Sequence, residues 1–179
     1  MPRTSQQLAP RPQSQPRPLA PSSATPLEEQ VLAGLRRRPK QLPSAYLYDE
    51  EGSRLFQRIM ALPEYYVTRA EAEILSTHAT RIAEVCAGRR VALVDLGAGD
   101  GTKTSVLLDA LGAVCDEVVY APVDICAAAL SELAAIHVAR HPSVPMTSFV
   151  ADYARGLTAA GAHLGRARRA VDQRASWPK

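Results

Sequence analysis

The alternation of apolar runs between residues 91 and 150 does most to limit what this chain can fold into. A short apolar run, Val91–Leu96, stops at Gly97-Ala98-Gly99-Asp100-Gly101, and a helical pattern follows from about Thr102 to Leu111. A second strand is predicted at Glu117–Val123, a second helix at Ala127–Arg140, and a third strand at about Pro145–Val150. Strands alternating with helices of about a dozen residues predict βαβ units and a parallel sheet. The fold class is therefore α/β and Rossmann-like, with three parallel strands.

Upstream, the pattern is helical. A helix from about Pro26 carries Glu28 and Glu29 early and Arg36-Arg37-Arg38 late, the order that suits the helix dipole. The arginine run reads as a solvated helix end before Pro39 rather than a docking patch. A second helix is predicted over Gly52–Leu62, with Leu55, Phe56, Ile59 and Met60 at core spacing. Pro63-Glu-Tyr-Tyr-Val-Thr68 breaks it. Thr68 and Glu71 then form a capping-box signature for a helix that runs to Gly88. His78 lies within that helix and receives no role.

Charge is distributed unevenly. The chain carries a net +3, yet residues 1–26 hold three Arg and no acid, and residues 154–179 hold five Arg, one Lys and one Asp. That leaves −5 for residues 27–153, so the high isoelectric point belongs to the ends and gives no reason to expect nucleic acid. Residues 1–26 hold seven of the fourteen prolines and read as a disordered leader. The organisation expected is leader 1–26, helical segment 27–88, partial cofactor domain 89–153, and an Arg/Ala-rich tail 154–179 outside the fold. Cys86, Cys115 and Cys126 show no metal-binding spacing and no disulfide framework, which fits a reducing cytoplasm. No apolar run is long enough to span a membrane.

The chemistry lies at the strand ends. In a doubly wound sheet the ligand sits beyond the carboxyl ends of the strands. Gly97 and Gly99 end the first strand, Asp124 the second and Asp152 the third, so all fall on one rim. An acid at the second strand end can accept from both ribose hydroxyls of an adenosine cofactor. Asp152 could bind the adenine amino group, with Tyr153 against the ring. A dinucleotide fingerprint is broken, because Thr102 replaces its last glycine and Asp100 would repel a pyrophosphate. S-adenosylmethionine has no phosphate, and Lys103 is placed to pair its carboxylate. S-adenosylmethionine is the cofactor favoured. No catalytic base and no metal ligand can be assigned.

Two further stretches carry a resemblance. Tyr48-Asp-Glu-Glu-Gly-Ser-Arg-Leu-Phe56 and Leu62-Pro-Glu-Tyr-Tyr-Val-Thr-Arg-Ala-Glu-Ala-Glu-Ile-Leu75 resemble the histidine-specific S-adenosylmethionine-dependent methyltransferases, which include the L-histidine Nα-methyltransferase of ergothioneine biosynthesis. The likeness runs from about Leu42 to Tyr153. It implies a class I methyltransferase fold, present here as its first three strands, and transfer of a methyl group to a small-molecule amine, histidine in the family. Residue by residue, Tyr65 matches a substrate contact, with Tyr48 near the active site. Gly97, Lys103 and Asp124 match cofactor positions, and Asp152-Tyr153 matches the Asp-Phe pair at the adenine. The family more often has Ser-Gly-Thr-Ser-Glu-Lys where this chain has Ala98-Gly-Asp-Gly-Thr-Lys103, and proline where it has Val67. The family chain also continues past Tyr153 with most of its substrate-binding side chains, for which residues 154–179 have no counterpart. The chain thus reads as a truncated methyltransferase, the alternative being an inactive remnant that only binds cofactor.

Overall fold

The computed structural model describes residues 17–18 and 27–175. In chain order it contains strand β1 (Arg17–Pro18), helix α1 (Leu27–Arg36), a 3-10 turn at Ser44–Leu47, helix α2 (Glu50–Met60), helix α3 (Val67–Glu84), strand β2 (Arg90–Leu96), helix α4 (Thr102–Val114), strand β3 (Glu117–Asp124), helix α5 (Ala127–Arg140), strand β4 (Phe149–Val150) and helix α6 (Tyr153–Ala175). The strands form one parallel sheet in the order β1-β4-β3-β2. The α/β class and the three parallel strands β2, β3 and β4 are as the sequence predicts. The predicted leader lies outside the described residues, except that Arg17 and Pro18 pair with Phe149 and Val150.

Central position explains burial. Strand β3 is hydrogen-bonded on both sides and five of its eight residues are buried, as its apolar run on both faces requires. Strand β2 bonds only to β3 among the described residues, from Arg90↔Glu117 to Leu96↔Val123, and none of its residues is buried, three being exposed and four half-buried. One face of the sheet packs Val118 and Tyr120 against Leu108 and Leu111 of α4, Leu130 and Leu133 of α5, and Ala83 of α3. The other packs Ala121, Val123, Phe149 and Ala151 against Ala160 of α6.

The third strand is shorter than predicted. Its register with β3 is constant, with Tyr120↔Met146, Val123↔Phe149 and Asp124↔Val150, but only Phe149–Val150 forms a continuous ladder. Tyr120 exchanges backbone bonds with Pro145 and Thr147, so Pro122, two residues on, faces the same neighbour. Proline has no N–H to give, and the ladder loses a rung there.

Two other expectations need correction. The Thr68–Glu71 capping box does not form: α3 starts at Val67, its N-cap Tyr66 makes no side-chain bond, and Glu71 is drawn instead to Lys103. The segment after Tyr153, expected to stand outside the fold, is helical, and its early turns pack on the sheet. Gly156 approaches so closely that a Cβ there would lie 2.1 Å from Val123 Cγ1. Small residues at Gly156, Ala159 and Ala160 allow this contact, a signal that an Ala-rich stretch does not distinguish from exposed helix. None of the described helices is long and apolar enough to cross a membrane.

Candidate functional site

The glycine turn between β2 and α4 is built on left-handed backbone. Gly97, Gly99 and Gly101 have φ of +79°, +53° and +69°, a region that costs an L-residue with a side chain about 1–2 kcal/mol. The turn is tied to the neighbouring strand, because the Gly97 and Ala98 N–H groups donate to Val123 O at 2.8 and 3.2 Å. Gly99 N–H donates to Asp124 Oδ2 at 3.0 Å, while Asp124 Oδ1 accepts from Cys126 N at 2.9 Å. Asp124 therefore braces two loops, and each oxygen still has a lone pair for a ligand hydroxyl.

Gly97, Gly99, Asp124, Asp152 and Tyr153 come together on one rim. The Ala151 N–H donates to Asp124 O at 3.0 Å, which sets the ends of β3 and β4 side by side. Asp152 Oδ1 accepts from Arg155 N at 3.0 Å and caps α6. Tyr153, 59% exposed, lies over the turn, its hydroxyl 2.8 Å from where a Cβ on Gly97 would sit. A Cβ on Gly99 would meet nothing within 4 Å, so the backbone there is open to an approaching ligand.

A further triad, which the sequence does not reveal, supports the turn from below. Asp95 Oδ2 accepts from Thr104 Oγ1 at 2.6 Å and from the Tyr120 hydroxyl at 3.0 Å. Burial, and next the charge of Asp95, push the Tyr120 phenol far above its ordinary value, so it stays a donor. Gly101 completes the arrangement: a Cβ there would lie 2.9 Å from Leu133 Cδ1. The Gly-x-Gly-x-Gly spacing signals this third glycine, whereas nothing local signals a partner for Tyr120. The void lined by Gly101, Tyr120, Leu133 and His137 measures about 10 Å³, room for at most one water.

Lys103 lies one residue inside α4 and is ion-paired to Glu71 of α3. Two residues earlier in α3, Arg69 donates to the carbonyls of Leu62 (3.1 Å) and Pro63, just before Tyr65. Tyr65 and Tyr48 are brought together through Phe56, whose spacing in α2 alone gives it no such role: it packs edge-on against both, at centroid distances of 5.9 and 6.5 Å. The two tyrosines and the rim are thus separate clusters, linked through α3.

The donor set discriminates between ligands. Asp100 Oδ1 accepts from Thr102 N at 3.0 Å and so occupies one of the amides that a phosphate would need at the start of α4. A cofactor without phosphate fits the loop better.

Comparison with known proteins agrees. The family model for histidine-specific, S-adenosylmethionine-dependent methyltransferases matches residues 27–172, extending on both sides of the Leu42–Tyr153 likeness. A histidine N-alpha-methyltransferase of Mycobacterium tuberculosis (strain CDC 1551 / Oshkosh) is 40% identical over 132 residues, covering 74% of this chain and 40% of the relative. That of Mycolicibacterium smegmatis is 38% identical over 138 residues, covering 77% and 42%. A 4-dimethylallyltryptophan N-methyltransferase of Claviceps purpurea is 37% identical over 105 residues, covering 59% and 30%. The chain spans about 40% of the length of the first two relatives. It belongs to the histidine-specific, S-adenosylmethionine-dependent methyltransferase family.

Proposed function

We propose that this chain forms the S-adenosylmethionine-binding part of an N-methyltransferase whose acceptor is the α-amine of an amino acid, with histidine the first candidate. The observation that carries the reading is the hydrogen bond from Gly99 to Asp124 in the glycine turn whose Gly97 meets Tyr153. Asp124 would accept from the ribose hydroxyls, Asp152 and Tyr153 would receive the adenine, and Lys103 would pair the cofactor carboxylate. Tyr65 and Tyr48, braced by Phe56, would contact the acceptor. Both a histidine and a prenylated tryptophan appear in the relatives' names, and an amino-acid head is common to the two.

The cofactor supplies an electrophilic methyl on a sulfonium. The acceptor amine would have to be neutral, with its lone pair free to take that methyl. The protein's part is to hold donor and acceptor in line and keep water out. Three free cysteines agree with a reducing compartment such as the cytoplasm.

Calorimetric titration with S-adenosylmethionine, followed by a methyl-transfer assay on histidine, tests the reading. Binding that Asp124→Ala abolishes would support the cofactor assignment, and turnover would support the acceptor. Absence of binding by a cooperatively melting chain would defeat it.

A further inference from the structure

Lys103 sits where an ammonium is least welcome. It occupies the second position of α4, at the positive end of the helix dipole, and needs a nearby anion. Glu71 of α3 supplies one, and the two heads lie in contact with their side chains 38% and 49% exposed. Neither is sealed off, so both can reach a ligand. Lysine carries three donors and glutamate about four acceptor sites, and their mutual contact uses only one of each. What the surface presents next to the glycine turn is an ammonium and a carboxylate side by side, which is the complement of a zwitterionic α-amino-acid head.

We infer that Glu71 and Lys103 together form a clamp for the amino-acid head of the cofactor, Lys103 taking its carboxylate and Glu71 its ammonium. The inference rests on the S-adenosylmethionine reading above and adds Glu71 to that site. Arg69, on the same turn of α3, ties that helix to the Leu62 and Pro63 carbonyls, so Glu71 projects from a braced helix start rather than from a free surface. The capping box is unformed because α3 starts at Val67, which places Thr68 inside the helix and leaves the Glu71 carboxylate to meet Lys103.

Two ligands separate the clamp from the rest of the site. S-adenosylhomocysteine carries the zwitterionic head, and 5′-methylthioadenosine has the same nucleoside without it. Titration of each into the unsubstituted chain, Glu71→Gln and Lys103→Met is the experiment, with thermal melting as a check on folding. The expected result is roughly tenfold weaker S-adenosylhomocysteine binding in both variants, with 5′-methylthioadenosine affinity unchanged. Tighter binding by Glu71→Gln would overturn the clamp by making Glu71 a competitor for Lys103. Equal loss for both ligands would overturn it in favour of a purely structural ion pair. If the unsubstituted chain binds 5′-methylthioadenosine no less tightly than S-adenosylhomocysteine, the clamp alone fails. If it binds neither, the cofactor reading fails with it.

Discussion

The Tyr120 hydroxyl, from the middle of β3, donates to Asp95 Oδ2 near the end of β2 at 3.0 Å, and Thr104 of α4 donates to the same oxygen. Three elements thus meet on one carboxylate oxygen beneath the glycine turn. Removing the hydroxyl with Tyr120→Phe should cost about 1.5 kcal/mol, the lower end for a hydrogen bond to a charged group. Asp95→Asn should cost more, because Thr104 and the buried phenol both lose the charge they face. Urea denaturation of the two variants measures this, and equal stability in both would remove the triad from the account.

Gly97 is required twice over, by its φ of +79° and by the Tyr153 hydroxyl 2.8 Å from a Cβ position. Gly97→Ala should lose about 1–2 kcal/mol to backbone strain alone. Adding Tyr153→Phe should recover the contact part and leave the strain. Denaturation midpoints of the single and double variants separate the two contributions, and full recovery in the double variant would show the strain to be absent.

Gly156 tests whether α6 packs against the sheet. A Cβ there would lie 2.1 Å from Val123 Cγ1 and 3.0 Å from Cγ2. Both are core atoms that cannot yield freely, so Gly156→Ala should destabilise by about 1–3 kcal/mol through overpacking. Helix propensity alone predicts the opposite, a gain of up to about 1 kcal/mol. The sign of the change in melting temperature decides.

His141 should make stability fall in mild acid. Its ring is 6% exposed, Nδ1 faces Asp109 at 3.5 Å, and Nε2 is buried with no partner among the described residues. Burial is the main cause of its lowered pKa, with His137 and Arg140 adding to the shift and Asp109 opposing it. A depressed value means the unfolded chain takes up the proton first as pH drops through the ordinary 6.5. Protons then favour unfolding: this part of the stability is complete above that pH and declines below it, by at most about 1.4 kcal/mol per pH unit. Urea midpoints at mildly alkaline and mildly acidic pH should differ less in His141→Gln, and an unchanged difference would assign the effect elsewhere.

The matching family spans more of the chain than the sequence motifs did, by residues 27–41 upstream and 154–172 downstream, and the downstream gain has a physical reason. An Ala/Gly/Arg stretch has little periodicity, so its role as the helix covering the second face of the sheet emerges only when Gly156 and Ala160 are seen against Val123.

By itself the sequence determined the local grammar. Helix α5 has the predicted bounds, Ala127–Arg140, and β2 and β3 differ from expectation by one residue each. The glycines, with the acids at 124 and 152, fall on one rim because strand period and helix length leave a parallel sheet no other way to place its turns. Tertiary structure decided what no spacing encodes. It took Glu71 from a capping box to Lys103, joined Tyr48 and Tyr65 through Phe56, hung Thr104 and Tyr120 on Asp95, and interrupted the third strand opposite Pro122. The physical reason is one of range. Propensity and periodicity act over a few residues, whereas a charge or a buried hydroxyl takes its partner from whatever the packed chain brings near, here 9 to 32 residues away.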